Sequence, residues 1–406
     1  MFHPDPCAAQ RLSPLGTTPD WSRLDAYQET ISRDQFLYLL NEVFAPNEAW
    51  KAFIAVDENS ALIKKEADSA APPYVLRFRP AEAEEKAPAR YWRSAAQLPT
   101  NATDERPLEG LKIALDAGHL GGRWAKMEER WFQIGTERPV TEGDMTLKVC
   151  AMLKTRLEAL GASVVSLRTR PEPLTPQRPS DLLGAARQIL AERGVLNGLS
   201  EALAARVIMK EAEKLFYRTS EIHARADKVN HQVKPDLVLC VHFNAEAWGD
   251  PLLPQLIDER HLHLIVNGCY SHAELSLDDV RLEMLIRLLN GSFPEELALS
   301  QSVATAMAAA TGLIPFIYPG TNAKKLDESG YLWARNLLAN RLYECPVIFL
   351  EPYVMNNKED YARIQAGAYE GLREFNGQQR KNIYTEYVDS VVLGVVDYFR
   401  KARAKP

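Results

Sequence analysis

The chain has 406 residues, 46% hydrophobic and 25% charged, with a formal net charge of −6. That length can bury one large or two medium cores, and the composition is that of an ordinary soluble globular chain. The acidic balance offers no basic footprint, which argues against nucleic acid as a partner, and no apolar run approaches the ~18 residues of a transmembrane helix.

Residues 1–20 are rich in proline and polar side chains, and a poorly ordered start is expected. "MFHPDPCAAQRLSPLG" lacks the basic start and apolar core of a signal peptide. Two readings stay open: a cytosolic chain, or a numbering that begins after a leader. From Trp21 to about Ala52 the spacing is helical, with Phe36, Leu39, Leu40 and Val43 on one side. "AFIAV" and "YVLRF" read as short strands around a polar run. Residues 1–107 are thus expected to form a small α+β module, ending in a charged, proline-containing linker or strap over 80–107.

The second part, 108–406, begins near Leu108. Strands are expected at 111–116, 162–168, 236–242, 262–267 and 346–351, alternating with helical patterns in an α/β sheet. The clearest helix runs from about Asp144 to Leu160, with Met145, Val149, Leu153 and Leu157 at helical spacing and Gly161 as its stop. Two insertions interrupt the alternation. Residues 172–230 read as mostly helical; 249–300 hold a proline-rich loop, a strand and an acidic helix near "SLDDVRLEMLIRLLNG". A closing amphipathic helix is expected from Ile383 to Ala402.

Five cysteines stand at 7, 150, 240, 269 and 345, with no C-x-x-C. An odd number without that spacing speaks against a disulfide scaffold or a zinc ribbon. Cys240 shares a strand face with His242, but a nucleophile also needs an orienting third group. It reads better as a small buried hydrophobe.

Four other side chains carry the chemistry. "LKIALDAGHL" is an alternating strand that ends on Asp116, Gly118 and His119, and ligands of open α/β sheets sit outside the carboxyl ends of strands. Glu142 opens the strong helix. An acid there also favours the helix dipole, and Thr141 with Asp144 resembles a capping box. His242 ends the apolar "DLVLCVH", where a satisfied core histidine and a ligand are equally open readings, and the Phe-Asn-Ala that follows speaks against a buried mid-strand position. Glu351 ends "PVIFLE", either as an exposed strand-end acid or as a carboxylate too expensive to bury unpaired. Taken together, three N/O ligands and a position left for water match catalytic zinc. His119, Glu142 and His242 fit that count, and Glu351 remains as an uncoordinated base. His261 and His263 share a strand face but lack a third ligand; His223 and His231 lie in a predicted helix and read as packing or surface residues. No H-E-x-x-H, G-x-S-x-G or P-loop motif occurs in the chain.

The succession "LDAGH", "TEGDMTL", "DLVLCVHFNA", "PVIFLE" resembles the zinc-dependent N-acetylmuramoyl-L-alanine amidases of the Amidase_3 type. "GASVVSLRTR" and "ARADKVNHQVKPD" resemble further segments of that family. The likeness covers roughly 108–376 and leaves 1–107 unexplained. It implies a mixed, largely parallel twisted sheet flanked by helices, with Zn2+ on His119, Glu142 and His242 and Glu351 as the catalytic residue. It also implies a peptidoglycan or muropeptide substrate and a periplasmic or extracellular location, the export signal being absent from this numbering. A zinc peptidase acting on free peptides and a non-catalytic cell-wall-binding protein are the alternatives. Asp116 and Asn244 are expected either to orient the histidines or to form turns. Where that family commonly has a Gly-Phe turn after the last glutamate, this chain has Pro-Tyr-Val-Met, so a differently shaped mouth is expected. Some relatives carry a plugging helix in the interval that 249–300 occupies, and self-inhibition by this insertion is the corresponding expectation.

Overall fold

The computed structural model describes residues 10–67, 71–99, 102–250 and 253–403; Cys7 and most of the first half of the expected disordered start lie outside them. A capping box starts the first helix: the Ser32 hydroxyl accepts from the Gln35 amide, and the Gln35 side chain accepts from the Ser32 amide. This helix, α1 (Arg33–Leu39), packs Phe36 into one apolar cluster with an antiparallel sheet of β1 (Ile54–Val56), β2 (Ser60–Ile63) and β3 (Tyr74–Arg77). Strand β2 falls in the polar run expected to be a connector. Only Ala61 and Ile63 of it face the core, too short an alternation to stand out. The strap that follows is tied down by Arg93, whose guanidinium meets the Asp236 carboxylate at 2.7 Å.

The main sheet then begins with β4 (Lys112–Ala117). A ribbon of β5 (Trp131–Phe132) and β6 (Val140–Thr141) leads into α2 (Glu142–Ala159) and β7 (Ser163–Ser166). The first insertion supplies α3 (Leu183–Glu192), α4 (Glu201–Lys214) and α5 (Glu221–Asp227), and β8 (Leu237–Val241) returns to the sheet. Next come β9 (His261–Val266), α6 (His272–Leu275), α7 (Asp278–Leu289) and α8 (Phe293–Thr311). Short strands β10 (Ile314–Pro315), β11 (Lys324–Lys325) and β12 (Leu332–Ala334) precede α9 (Leu338–Leu342) and β13 (Val347–Pro352). The chain closes with α10 (Lys358–Ala366), the hairpin β14 (Arg373–Phe375) and β15 (Gln378–Arg380), and α11 (Ile383–Arg403).

The strand order is β11-β12-β9-β13-β8-β4-β7, with β10 also paired to β9. Strands β4, β7, β8 and β13 run parallel; β9 lies antiparallel to β13, and β10 and β12 run parallel to β9. The sheet is therefore mixed and largely parallel. Alternation divides its two faces. Ile113, Leu115, Leu239, Val241, Leu264 and Leu350 pack with residues of α2, α8 and α11. Ala114, Val238, Cys240, Ile265 and Phe349 pack with residues of α5 and α9. Both faces are covered, so the central strands read as continuous apolar runs.

Among the described residues of 249–300, neither the strand nor the acidic helix plugs the cleft. Strand β9 sits inside the sheet, and α7 is buried against the N-terminal module. Its charges are satisfied there: Arg281, fully buried, donates to the Lys64 carbonyl at 2.9 Å and to Asp278 at 2.7 Å.

Candidate metal centre

The turn after β4 is held from below. His119 adopts a left-handed backbone, φ 55°, which costs a non-glycine residue about 1–2 kcal/mol. Two buried arginines fix it: Arg168 donates to the carbonyls of Ala117 and His119, and Arg225 donates to Ala117 at 2.9 Å. Gly118 is required because a Cβ there would overlap the His242 imidazole. Gly143 does the same for the neighbouring element: a Cβ would overlap the Leu120 carbonyl, so glycine lets α2 start against the turn. No capping box forms at that start. Thr141 Oγ1 donates to Asp144 at 2.7 Å, and Asp144 accepts the Gly122 amide at 3.0 Å. Glu142 is left to face the strand ends, 2% exposed.

His242, just past β8, stacks on Phe349 with ring centroids 5.2 Å apart. Its Nδ1 lies 3.2 Å from Glu142 Oε1, and His119 Nε2 lies 3.4 Å from Glu142 Oε2. One ligand atom from each of His119, Glu142 and His242 falls within 4.8 Å of the others. The group could hold a metal ion, and a cation already leans on it: Arg130 Nε is 3.3 Å from His119 Nε2 and 3.4 Å from Glu142 Oε2. Since arginine only donates, His119 Nε2 accepts, and its proton sits on Nδ1. That nitrogen meets Glu128 Oε1 at 2.7 Å, the carboxylate–histidine arrangement that orients a metal-binding imidazole. Two imidazoles and a carboxylate with one ring so oriented fit zinc by donor chemistry.

Glu128 is the residue sequence reasoning missed. It sits in a loop with no periodic signal, nine residues after His119. Asp116, expected either to orient a histidine or to form the turn, accepts from Arg225 at 2.9 Å and from the Tyr343 hydroxyl at 2.6 Å. It braces the turn because its side chain points into the buried face of the sheet. Asn244 donates to the Glu351 carbonyl at 2.7 Å, a turn-forming contact that steadies the strand end.

Burial opposes ionisation of Glu142, but His119, His242 and Arg130 outweigh it and hold the carboxyl well below its usual range. Glu351 goes the other way: burial raises it, and Glu142 adds to that rise against the pull of His242. Two neighbouring carboxyls thus have their affinities for protons pushed apart.

These side chains line a cleft of about 1290 Å³ that also includes Trp131, Trp248, His263, Tyr318 and Arg335. The competing histidines are engaged elsewhere: His261 Nε2 meets Glu246 at 3.0 Å, and His263 Nε2 meets the Tyr318 hydroxyl at 2.9 Å. His231 is exposed beside Asp227 and His223 is partly buried. Cys240 is fully buried, and burial pushes its thiol well above the ordinary value, so it is no nucleophile.

No protein-family model and no curated protein matches the chain. Solved structures resemble it distantly. The N-acetylmuramyl-L-alanine amidase Ami1 from Mycobacterium abscessus aligns at 17% identity over 71% of this chain and 99% of its own, with a TM-score of 0.39. The CwlD amidase from Clostridioides difficile, solved with the GerS lipoprotein, aligns at 11% identity over 72% and 99%, TM-score 0.39. AmiC2, an N-acetylmuramoyl-L-alanine amidase of Nostoc punctiforme, aligns at 13% identity over 71% and 97%, TM-score 0.37. At such distances the chemistry has to be read from the residues of this chain.

Proposed function

We propose that this chain is a zinc-dependent hydrolase of the cell envelope. Its reaction cuts the amide bond between N-acetylmuramic acid and the L-alanine of the peptidoglycan stem peptide. The observation that carries the reading is the convergence of His119, Glu142 and His242 within 4.8 Å, beside a half-buried Glu351 whose carboxyl is raised. The substrate class follows from the succession of motifs across 108–376.

Zinc, when bound by His119, Glu142 and His242, supplies an acidified water and a polarised scissile carbonyl. Glu142 stays anionic throughout, and Glu128 holds the His119 ring in the tautomer that leaves Nε2 free. Glu351 takes the proton from the attacking water on its carboxylate and passes it to the leaving nitrogen, a role suited to a carboxyl whose proton affinity is raised by burial. The walls of the cleft orient the sugar and peptide around that bond.

Glu351→Gln should retain zinc, measured by metal analysis, while turnover of a defined muropeptide falls by about 10²–10⁴-fold, measured by mass spectrometry of the products. Normal turnover by this variant would remove Glu351 from the mechanism. The same assay with the free stem peptide separates the amidase from a zinc peptidase, and absence of any amide cleavage points to a wall-binding protein.

A further inference from the structure

The cleft continues past Glu351 along the face of the sheet, and its far part holds a cation without an acid of its own. His263 is the register partner of Glu351, and Trp333 that of Ile265. Alternation therefore puts His263, Ile265, Trp333 and Arg335 on the face that carries Phe349 and Glu351. The Arg335 amide is fixed to the Val266 carbonyl at 3.0 Å.

The side chain is held too. Arg335 Nη1 donates to the Tyr318 hydroxyl at 3.3 Å, and the guanidinium lies over the Tyr318 ring, 5.2 Å from its centroid. The same hydroxyl meets His263 Nε2 at 2.9 Å, and Asn244 Nδ2 faces the opposite ring nitrogen, Nδ1, at 3.5 Å. These contacts engage one edge of the guanidinium and leave the other N–H groups to the cleft.

Fully buried arginines among the described residues carry carboxylates. Arg225 has Asp116 and Glu221, Arg281 has Asp278, Arg287 has Glu296 and Arg363 has Glu386. Arg335, partly buried and lining the cleft, forms no ion pair with a carboxylate among the described residues. A planar guanidinium held in place with donors unspent is a fork for a carboxylate.

We propose that Arg335, positioned by Tyr318 and His263, binds a free carboxylate on the peptide part of the substrate, so that the cleft selects acidic stem peptides. The proposal rests on the amidase reading for its substrate, and the test keeps the two apart. The zinc-loaded full chain is assayed on a muropeptide with free stem carboxylates and on the same muropeptide with those carboxylates amidated. Wild type should show a KM about tenfold or more lower for the acid form. Arg335→Ala should raise that KM to the value for the amidated form and leave kcat within about twofold. Arg335→Lys should recover only part of the discrimination, because an ammonium lacks the fork. Tyr318→Phe, which keeps charge and shape, should weaken it by a smaller factor and serves where Arg335→Ala fails to fold.

Calorimetric binding of the free stem peptide gives a readout apart from turnover. Turnover with equal KM for both forms, in wild type and Arg335→Ala alike, overturns the subsite and keeps the amidase. Absence of turnover with binding that depends on Arg335 keeps the subsite and overturns the amidase. Absence of turnover together with binding that ignores Arg335, or with no binding, overturns both.

Discussion

His263 shows how one side chain couples the cleft to pH. It is 3% exposed, and burial, with His261 and Arg335 nearby, pushes its pKa down to about 3. Asn244 Nδ2 lies 3.5 Å from its Nδ1 and the Tyr318 hydroxyl 2.9 Å from its Nε2, Phe316 stacks on the ring, and Glu351 is its register partner. Unfolded, an imidazole takes up its proton near pH 6.5. Between those values the unfolded chain binds the extra proton and the folded chain does not. Stability from this residue is therefore complete above about pH 6.5 and falls as pH drops, by up to about 1.4 kcal/mol per unit. His263→Asn removes the titration. From pH 6 to pH 5, wild type should lose about 1 kcal/mol more than the variant in urea unfolding, the comparison cancelling every other titrating group. Equal slopes would mean that the folded imidazole is protonated after all. Legibility also divides at this scale. His119, His242 and Glu351 stand out in the sequence because each ends an apolar strand abruptly, and Glu142 because it opens a strongly periodic helix. Glu128, Tyr318 and Arg335 lie in loops, where neighbours in space leave no trace in spacing.

Among the elements, strand length decided what could be read. Strands β4, β8, β9 and β13 are five or six residues long and apolar throughout much of their length. Strands β10 and β11 have two residues each and β12 has three, below what any period can mark. The acidic helix α7 could be located but not placed, since a charged helix buried by another part of the chain looks like a solvated one. Helix packing adds a constraint invisible in any pattern. Gly394 of α11 meets α8 so closely that a Cβ would overlap Val303 Cα and lie 2.9 Å from the Ser302 carbonyl. Alanine gains about 1 kcal/mol in helix propensity over glycine. Forcing two backbones apart costs about 1–3 kcal/mol, and neither backbone can yield as a flexible side chain would. With that cost at its upper end, Gly394→Ala should lower stability by up to about 2 kcal/mol, seen as a lower urea midpoint with an unchanged slope. A gain would show that the two helices slide freely.

At the scale of the molecule, the division suggested by composition at residue 107 meets a core that crosses it. The N-terminal cluster contains Leu24, Phe36 and Ile63 together with Val280, Leu285 and Phe293 from beyond the boundary. Backbone bonds cross as well: Cys269 and Tyr270 donate to the carbonyls of Val43 and Phe44 at 2.8 and 2.6 Å. Asp278 and Asp279 accept the amides of Gln10, Ala67 and Leu12. Removing 1–107 would strip Arg281 of the Lys64 carbonyl and Asp278 of two amides, at about 1–3 kcal/mol for each buried group left unsatisfied. It would also expose the apolar side of α7. Against a total stability of about 5–15 kcal/mol, those losses are too large for the remainder to absorb. The full chain should unfold in one calorimetric transition, and 108–406 expressed alone should be insoluble or lack a cooperative transition. A soluble 108–406 that binds zinc and hydrolyses muropeptide would show the opposite. The N-terminal module would then be an accessory, and α7 would have to be stable with its charged and apolar groups facing water.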